Sequence, residues 1–238
     1  MTENEFSPFL VTLTIGSAYI QPKKPPTLDA LLLGALRLVF PYSEDVSALI
    51  PLQKTDGVFH GSCMICDPLF SGGSVKFFQS INNERKEQTI NGDWLDTHIY
   101  KGLDIDVSKL RKGDSGRGAF STKMDDYTLY HRGSFWKVGF FGCGDLSQVK
   151  SLLHKLPGIG RKAARGYGAI FDVDVDPVDT DYSLIRDGKP MRPIPENLWM
   201  RMGGSPLPLR MARAEIHIGN PDEHEVLCVA PTGEHLSW

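Results

Sequence analysis

A glycine-rich segment at residues 158–168 carries the residue types that suit a polyanion-binding loop. Two Gly-apolar-Gly triplets lie on either side of five residues, which include Arg161, Lys162 and Arg165 and no acid. Because glycine lacks a Cβ and tolerates positive φ, its main-chain N–H groups can turn toward an anion, and the cations add charge around it. The segment therefore predicts a loop that binds phosphate groups.

A second basic cluster lies in the polar, glycine-rich region 82–133. Asp114 is the only acid between residues 109 and 123. Two interpretations are open: a mobile basic hairpin that grips a nucleic-acid backbone by releasing counterions, or a solvated surface loop. The cations of the cluster are Lys109, Arg111, Lys112, Arg117 and Lys123. Nearby aromatic residues either stack on bases or pack in the core, and these are Tyr127, Tyr130, Phe135 and Trp136.

The side chains that catalyse reactions or bind metals in other proteins show no diagnostic spacing here. None of the seven histidines has a neighbour that marks it as a general base; those near the binding elements are His60, His98, His131 and His154. The aspartates at 172, 174 and 176 share one face of a strand, but no glycine-anchored calcium loop surrounds them. Cys63 and Cys66 form one pair, whereas a structural zinc site usually needs two pairs or close histidines. We therefore predict no catalytic residue, no metal and no cofactor.

Composition favours a globular protein without a membrane segment. Of 238 residues, 41% are apolar and 23% charged, which is enough to build one large domain or two small ones. The net charge is only −3, so nucleic-acid binding must depend on local basic patches. No apolar run approaches the length of a membrane helix, and the N-terminus is acidic where a secretory signal is basic. We expect a cytoplasmic protein with no membrane partner.

Hydrophobic patterns predict the elements that position these residues. Apolar side chains alternate from Phe9 to Ile15, as in a strand. After the N-cap Thr27 we predict a buried helical stripe, formed by Leu28, Leu31, Leu32, Ala35, Leu38 and Val39. Asp145 begins a second helix, with Gln148 completing a capping box. Further strands are predicted at 58–66, 74–81 and 134–141 and from residue 167 onward, where Phe171 and Val173 alternate with the aspartates and share the opposite face. The glycine-rich loop therefore connects a helix to a strand.

This order, β-α-β-β-α-β with an insertion at 82–133, is the split β-α-β pattern of an α+β domain. The helices of such a domain cover one face of an antiparallel sheet, and we expect the other face to be free for binding. We predict that residues 1–176 form this domain. Residues 177–238 are predicted to form a C-terminal β-rich subdomain, with strands at 214–218 and 226–230.

Other known motifs compete for the glycine-rich segment. A dinucleotide-binding fingerprint must leave a strand and open a helix, and the order here is the reverse. Residues 156–164 also resemble the hairpin of helix-hairpin-helix DNA-binding proteins, which hold a phosphate at the start of a second helix. That helix would run through Gly166 and Gly168, each of which costs roughly 1 kcal/mol relative to alanine.

The segment resembles the glycine-rich loop of the RAMP superfamily, the RNA-binding proteins of CRISPR systems, at every defined position. In that family the loop follows the second helix of a ferredoxin-like domain and precedes its last strand. Softer similarities lie at 27–32, 136–145 and 191–195. With these, the chain is most similar to the five-prime-handle-binding, Cas-five-like subunit of type IV CRISPR-Cas effector complexes.

The resemblance implies a non-catalytic subunit in a prokaryotic cytoplasm that binds the 5′ handle of the guide RNA (crRNA). It implies contacts with backbone (Cas-seven-like) subunits and the large subunit, and an indirect role in finding target DNA by base pairing. The RNA-binding residues it implies in the loop are Gly158, Gly160, Arg161, Lys162, Arg165, Gly166, Tyr167 and Gly168. By position alone it assigns a thumb with Lys109, Arg111, Lys112 and Arg117. An endoribonuclease that processes the CRISPR transcript without metal is the alternative within this family.

Overall fold

The computed structural model describes residues 6–20, 22, 25–42, 46–66, 71–81, 110–112, 120–130, 135–212 and 226–231. Of residues 71–81, 110–112 and 120–130 only the backbone is described. The described helices are α1 (Leu28–Val39), α2 (Leu146–Leu153) and α3 (Glu196–Arg201), with 3-10 turns at Ser47–Leu49 and Ala163–Arg165. The described strands are β1 (Ser7–Ile15), β2 (Tyr19–Ile20), β3 (Lys54–Thr55), β4 (Val58–Phe59), β5 (Ile65–Cys66), β6 (Ser71–Ile81), β7 (Leu110–Lys112), β8 (Phe120–Tyr130), β9 (Trp136–Gly144), β10 (Ile170–Pro177), β11 (Ile185–Arg186), β12 (Lys189–Pro190), β13 (Ile194–Pro195), β14 (Leu209–Ala212) and β15 (Val226–Val229).

The chain divides into two compact units. One contains residues 1–72 and 130–238, and the other contains residues 73–129. In the second unit, β8 pairs with β6 and, in antiparallel orientation, with β7. This unit overlaps the insertion predicted at 82–133, and the domain boundary predicted after residue 176 stays a prediction.

The central sheet of the first unit has the strand order β10-β1-β9-β5, with every neighbouring pair antiparallel. The alternate residues of β1 from Phe9 to Ile15 are fully buried, as their pattern predicts. They form one core with the apolar faces of α1 and α2, which contact each other and strands β9 and β10. The predicted α+β class with an antiparallel sheet is therefore confirmed.

The other face of this sheet is only partly open, so the expectation of a free face needs correction. Phe141 on this face packs edge-on against Tyr182, with ring centroids 5.3 Å apart, and a small core forms around it with Ile65 and Met191. The C-terminal segment thus covers the half of the face near β5. The half near β10 carries polar residues: Thr12 and Thr14 of β1 lie opposite Asp174 and Asp172 of β10.

Tertiary contacts shift several element ends from the predicted positions. In α1 the buried stripe includes Leu36, whereas Leu38 and Val39 near its end are exposed. The strand predicted at 58–66 is broken into two short strands, because the amides of residues 60, 62, 63 and 64 donate to four different segments. The strand predicted at 214–218 lies outside the described residues.

None of the described helices is long and apolar enough to cross a membrane.

The C-terminal residues form their own small sheet and core. Strands β13, β15 and β14 pair in that order, all antiparallel, and β11 pairs with β12. Trp199 of α3 is buried at the centre of this core and donates its indole N–H to the Ser205 carbonyl at 2.6 Å. The core also contains Val58, Leu184, Ile194, Leu198, Ala212, Cys228 and Val229.

A buried ion pair joins this C-terminal region to α1 and to the segment that includes β4. Arg192, 2% exposed, donates from Nη2 to Asp29 Oδ2 in the first turn of α1 at 3.0 Å. Its Nη1 donates to the carbonyl oxygens of Phe59 and Gly61. These bonds connect residue 192 to residues 59–61 and to α1. Removing one member of such an ion pair leaves the other charge buried and uncompensated.

We expect Arg192→Met to lower the free energy of unfolding by about 3–5 kcal/mol, because it strands the Asp29 carboxylate in the core. Arg201→Met is the matched control: Arg201 pairs with Asp56 at the surface, where such pairs are worth at most about 1 kcal/mol. The double variant Asp29→Leu/Arg192→Met removes both charges and should be more stable than Arg192→Met alone. Urea unfolding followed by tryptophan fluorescence measures all three. Equal losses of stability for the variants at 192 and 201 would contradict this interpretation.

Candidate nucleic-acid interface

Helix α2 begins where its capping residue predicts and leads into the glycine-rich loop. Asp145 Oδ1 accepts hydrogen bonds from the Gln148 amide at 3.0 Å and the Ser147 hydroxyl at 2.8 Å. Its Oδ2 accepts from Gln148 Nε2 at 2.8 Å. These bonds, the one from the Gln148 amide foremost, hold the pKa of Asp145 below its ordinary value. The ionised carboxylate therefore fixes the start of the helix that positions the loop.

The loop at 158–168 is attached to residues 16–20, which follow β1. The amides of Gly168 and Arg161 donate to the carbonyls of Ala18 and Ile20 at 2.7 and 2.9 Å. The Ser17 hydroxyl donates to the Gly166 carbonyl at 2.8 Å and accepts from the Ala169 amide at 2.9 Å. The two ends of the loop also meet, because the Ile159 amide donates to the Gly168 carbonyl at 2.8 Å. The loop is therefore a fixed part of the fold.

Close backbone approach explains the glycines at 158, 160 and 168. A Cβ on Gly158 would lie 2.7 Å from the Gly168 oxygen, and one on Gly160 would lie 2.7 Å from the Ile20 oxygen. A Cβ on Gly168 would overlap the Ile159 carbonyl. Gly160 and Gly168 also have positive φ, of 81° and 60°. Packing requires these three glycines whatever the loop binds, so their presence alone does not indicate a ligand.

The cations lie on the part of the loop that faces solvent. Arg161 and Lys162 are half-buried, and Arg165 is exposed on the 3-10 turn Ala163–Arg165. Lys162 has a left-handed backbone with φ 61°, a conformation that costs a non-glycine residue roughly 1–2 kcal/mol. Such strain persists only where the surrounding structure over-determines it, and it concentrates at binding sites. The loop therefore presents a basic turn on a fixed base.

Several main-chain donors of the loop are used inside the protein. The Gly166 amide donates to the Ala163 carbonyl at 2.9 Å, and the Gly168 amide is bonded to Ala18. The expectation that the glycine amides cradle a phosphate is therefore corrected for these two residues, because the closure of the loop engages them. A polyanion at this loop would therefore be bound by the side chains of the basic turn and by amides other than those of Gly166 and Gly168.

The same backbone lacks the second helix that a helix-hairpin-helix motif requires. Between Arg161 and Gly168 the chain makes one 3-10 turn, and Gly166 and Gly168 have left-handed φ values of 85° and 60°. The following strand β10 begins at Ile170, three residues later than predicted, because a left-handed residue at 168 cannot continue an extended strand. The sequence correctly predicts a helix before the loop and a strand after it.

The residues of the proposed thumb are described only in part. Arg111 and Lys112 lie in β7, opposite Ser121 and Phe120 of β8. Lys109 and Arg117 lie outside the described residues. Of Lys123 only the backbone, in β8, is described. Their proposed contacts with RNA stay predictions.

The aromatic residues considered for base stacking are placed in different environments. Trp136 is buried and packs edge-on against Tyr19, with ring centroids 5.5 Å apart, so it belongs to the core. Phe135 is 55% exposed, and Phe171, which the sequence pattern placed on the inward face of β10, is 72% exposed. A β-bulge explains Phe171, and strand periodicity carries no signal for a bulge. The side chains of Tyr127 and Tyr130 are not described.

One histidine has a fixed, buried environment, and another is accessible near the loop. His60 Nδ1 lies 2.6 Å from Asp181 Oδ2, and its Nε2 lies 2.8 Å from the Thr55 hydroxyl. Burial would raise the pKa of Asp181, but hydrogen bonds from His60 and Ser183 outweigh it and lower that pKa. Sequence spacing could not reveal this cluster, because Asp181 and His60 are far apart along the chain. His154 is exposed at the end of α2, whereas His98 and His131 lie outside the described residues.

Neither the aspartates nor the cysteines assemble a metal site within the described part of the chain. Asp172, Asp174 and Asp176 lie exposed along one face of β10. Burial raises the pKa of the Cys63 thiol to about 12, so this cysteine stays protonated in the core. Among the described residues, no group of three or more His, Cys, Asp or Glu side chains is placed to hold a metal ion.

Comparison with known proteins adds no family to this picture. No protein-family model matches the chain, and no curated protein sequence matches it. The residues and geometry of the chain itself therefore carry the inference of its function.

We expect Gly160→Ala to destabilise the protein more than Gly166→Ala, by about 1–3 kcal/mol, the usual cost of overpacking. The two glycines have nearly the same left-handed φ, 81° and 85°, so both variants pay a similar backbone penalty. Only at 160 would the new methyl meet Tyr19 and the Ile20 carbonyl, since nothing lies within 4 Å at 166. Urea unfolding measures the difference. Equal destabilisation would show that the loop is not packed against residues 16–20 as described.

Proposed function

We propose that this protein is a RAMP-superfamily subunit that binds the 5′ handle of a crRNA in a type IV CRISPR effector complex. In this role it is not an enzyme. It caps the row of backbone (Cas-seven-like) subunits, contacts the large subunit, and serves DNA targeting by holding the guide RNA while base pairing reads the sequence.

The topology of the central sheet supports a ferredoxin-like RAMP domain. With β1, β5, β9 and β10 taken as the four strands of the pattern, the sheet order is fourth, first, third, second. Helix α1 connects the first two of these strands, and α2 connects the last two. A split β-α-β arrangement with antiparallel neighbours has this order. The glycine-rich loop occupies the connection between α2 and β10, which is where the superfamily has it.

The observation that carries the proposal is the basic turn on the fixed glycine-rich loop. Arg161, Lys162 and Arg165 come from one short segment whose backbone is closed on residues 16–20. Cations held in this way neutralise successive phosphates and release counterions, which gives affinity without base specificity. A subunit that holds the end of a guide RNA needs that kind of contact.

The acidic face of the sheet supports a path for RNA along the loop. Asp172, Asp174 and Asp176 are exposed on the half of the outer face that the C-terminal segment leaves open. Their charges repel phosphates, so an RNA backbone that approaches this unit is directed away from the sheet face and toward the basic turn. The sheet therefore is not the proposed RNA-binding surface.

The alternative within the same family is an endoribonuclease that processes the guide transcript. One observation favours considering it: His154 is exposed at the end of α2, a few residues before the loop, where a general base would be near a bound phosphate. His60 suits this role less well, because it is buried and both ring nitrogens are engaged by Asp181 and Thr55.

We expect the triple variant Arg161→Ala/Lys162→Ala/Arg165→Ala to weaken RNA binding and to flatten its salt dependence. For single-stranded RNA the slope of log K against log salt should fall in magnitude by about 0.7 for each phosphate that the protein no longer neutralises. The control is Lys54→Ala/Lys189→Ala/Arg201→Ala, which removes the same number of charges from exposed positions on other elements. Fluorescence anisotropy over a salt series measures both slopes. The proposal is contradicted if the loop variant keeps the slope of the unchanged protein.

We also expect the purified protein not to cut its CRISPR repeat RNA in the presence of a metal chelator. Gel analysis of end-labelled RNA tests this, with His154→Ala and its neighbour Lys155→Ala as a matched pair. Cleavage at one site that disappears with His154→Ala but persists with Lys155→Ala would favour the endoribonuclease and overturn the non-catalytic role.

A further inference from the structure

Two phenylalanine rings form an exposed pair beside the glycine-rich loop. Phe171 is 72% exposed and Phe135 is 55% exposed, and their ring centroids lie 4.8 Å apart with an interplanar angle of 56°. Exposing two aromatic rings together to water is unfavourable, because each would stabilise the fold if it were buried. An exposed aromatic pair of this kind is a surface on which a flat ligand can pack.

A β-bulge turns Phe171 outward. In the pairing of β1 with β10, Thr14 lies opposite Asp172 and Ile15 lies opposite Ile170, so Phe171 has no partner in β1. Without the bulge, Phe171 would share the buried face of Val173, two residues further along. Bulges of this kind re-aim single side chains and occur often beside binding sites.

The ring pair and the basic turn are attached to the same short segment of chain. The rings lie next to Gly16, where an added Cβ would come within 3.4 Å of the Phe135 ring and 3.7 Å of Phe171 Cβ. The next residue, Ser17, bonds to the Gly166 carbonyl, and Gly16 itself donates to the Ala169 carbonyl at 2.9 Å. Residues 16 and 17 thus connect the aromatic surface directly to the loop.

We propose that Phe135 and Phe171 form a stacking platform for one unpaired base of the RNA that the basic turn holds. This inference rests on the proposed RNA-binding function and adds a second contact to it. Every base has a flat π-face that stacks on an aromatic ring, so such a platform increases affinity without reading sequence.

The surrounding charges favour a nucleobase as the occupant. The cations of the loop belong to the segment that Ser17 contacts through the Gly166 carbonyl, and they attract the RNA backbone. Asp172 directly follows Phe171 and is exposed, so a phosphate is disfavoured at the rings, whereas a neutral base is not. Lys137, also exposed, lies in register with Thr14 across the strand from Asp172 and limits this repulsion. A phosphate at the turn and a base on the rings satisfy both parts of the surface.

The test compares Phe171→Ala, Phe171→Trp and Phe6→Ala. Phe6 is another exposed aromatic residue, 47% exposed, at the opposite end of β1. Anisotropy titrations use two probes: a short single-stranded RNA of mixed sequence and an abasic ribose-phosphate oligomer with the same number of phosphates. We expect Phe171→Ala to weaken binding of the RNA about tenfold and to leave binding of the abasic oligomer and the salt slope unchanged. Phe171→Trp and Phe6→Ala should bind both probes like the unchanged protein.

Each other outcome counts against a defined part of the proposal. If the unchanged protein binds RNA and Phe171→Ala binds it equally well, the platform is wrong and the proposed function stands. If Phe171→Ala weakens both probes alike, the ring acts through the structure of the loop, and stacking is again wrong. If the unchanged protein binds neither probe, the proposed function fails, and the platform fails with it. Thermal unfolding of each variant confirms that the exposed substitutions leave the fold intact.

Discussion

The backbone contact between residues 16–20 and the glycine-rich loop is the interaction on which the proposed site depends. The carbonyls of Ala18 and Ile20 accept hydrogen bonds from the amides of Gly168 and Arg161, and the Ile20 carbonyl lies too close for any side chain at 160. Because β1 leads into one side of this contact and β10 leaves the other, the loop is fixed to the edge of the central sheet. A turn anchored in this way holds its cations at low conformational cost when a polyanion binds.

The glycine-rich motif combines residues that the packing of the loop requires with residues that are available to bind a ligand. The glycines at 158, 160 and 168 are required by packing, and Ile159 between them is buried in the core. We propose that ligand binding depends on the three cations between the triplets, which are at least partly exposed. Gly166, the first residue of the second triplet, has open space around it. The exposed ring pair lies beside Gly16, the residue before Ser17, which bonds to the loop, and the exposed aspartates of β10 follow Phe171 along the chain.

The sequence predicts those parts of the fold that depend on local pattern. Three such predictions are confirmed: the alternation of β1, the start of α1 and the Asp145 cap. Each of these features is determined by residues that are only a few positions apart in the sequence. The same pattern fails at the end of α1, where tertiary packing buries Leu36 and leaves Leu38 exposed. It also fails at Phe171, because a bulge places Ile170 opposite the buried Ile15 and leaves Phe171 outside the core, which an unbroken alternation does not anticipate. The pairing of Asp29 with Arg192, and of His60 with Asp181, joins distant segments, and no spacing rule anticipates such contacts.

Photo-crosslinking of the bound RNA, followed by mass spectrometry of the attached peptides, tests whether the anchored basic turn binds RNA. The measurement locates RNA on the protein without changing a residue. We expect crosslinked nucleotides on peptides that cover residues 158–171 and Phe135. Crosslinks confined to other peptides, obtained while the protein binds RNA, would contradict it.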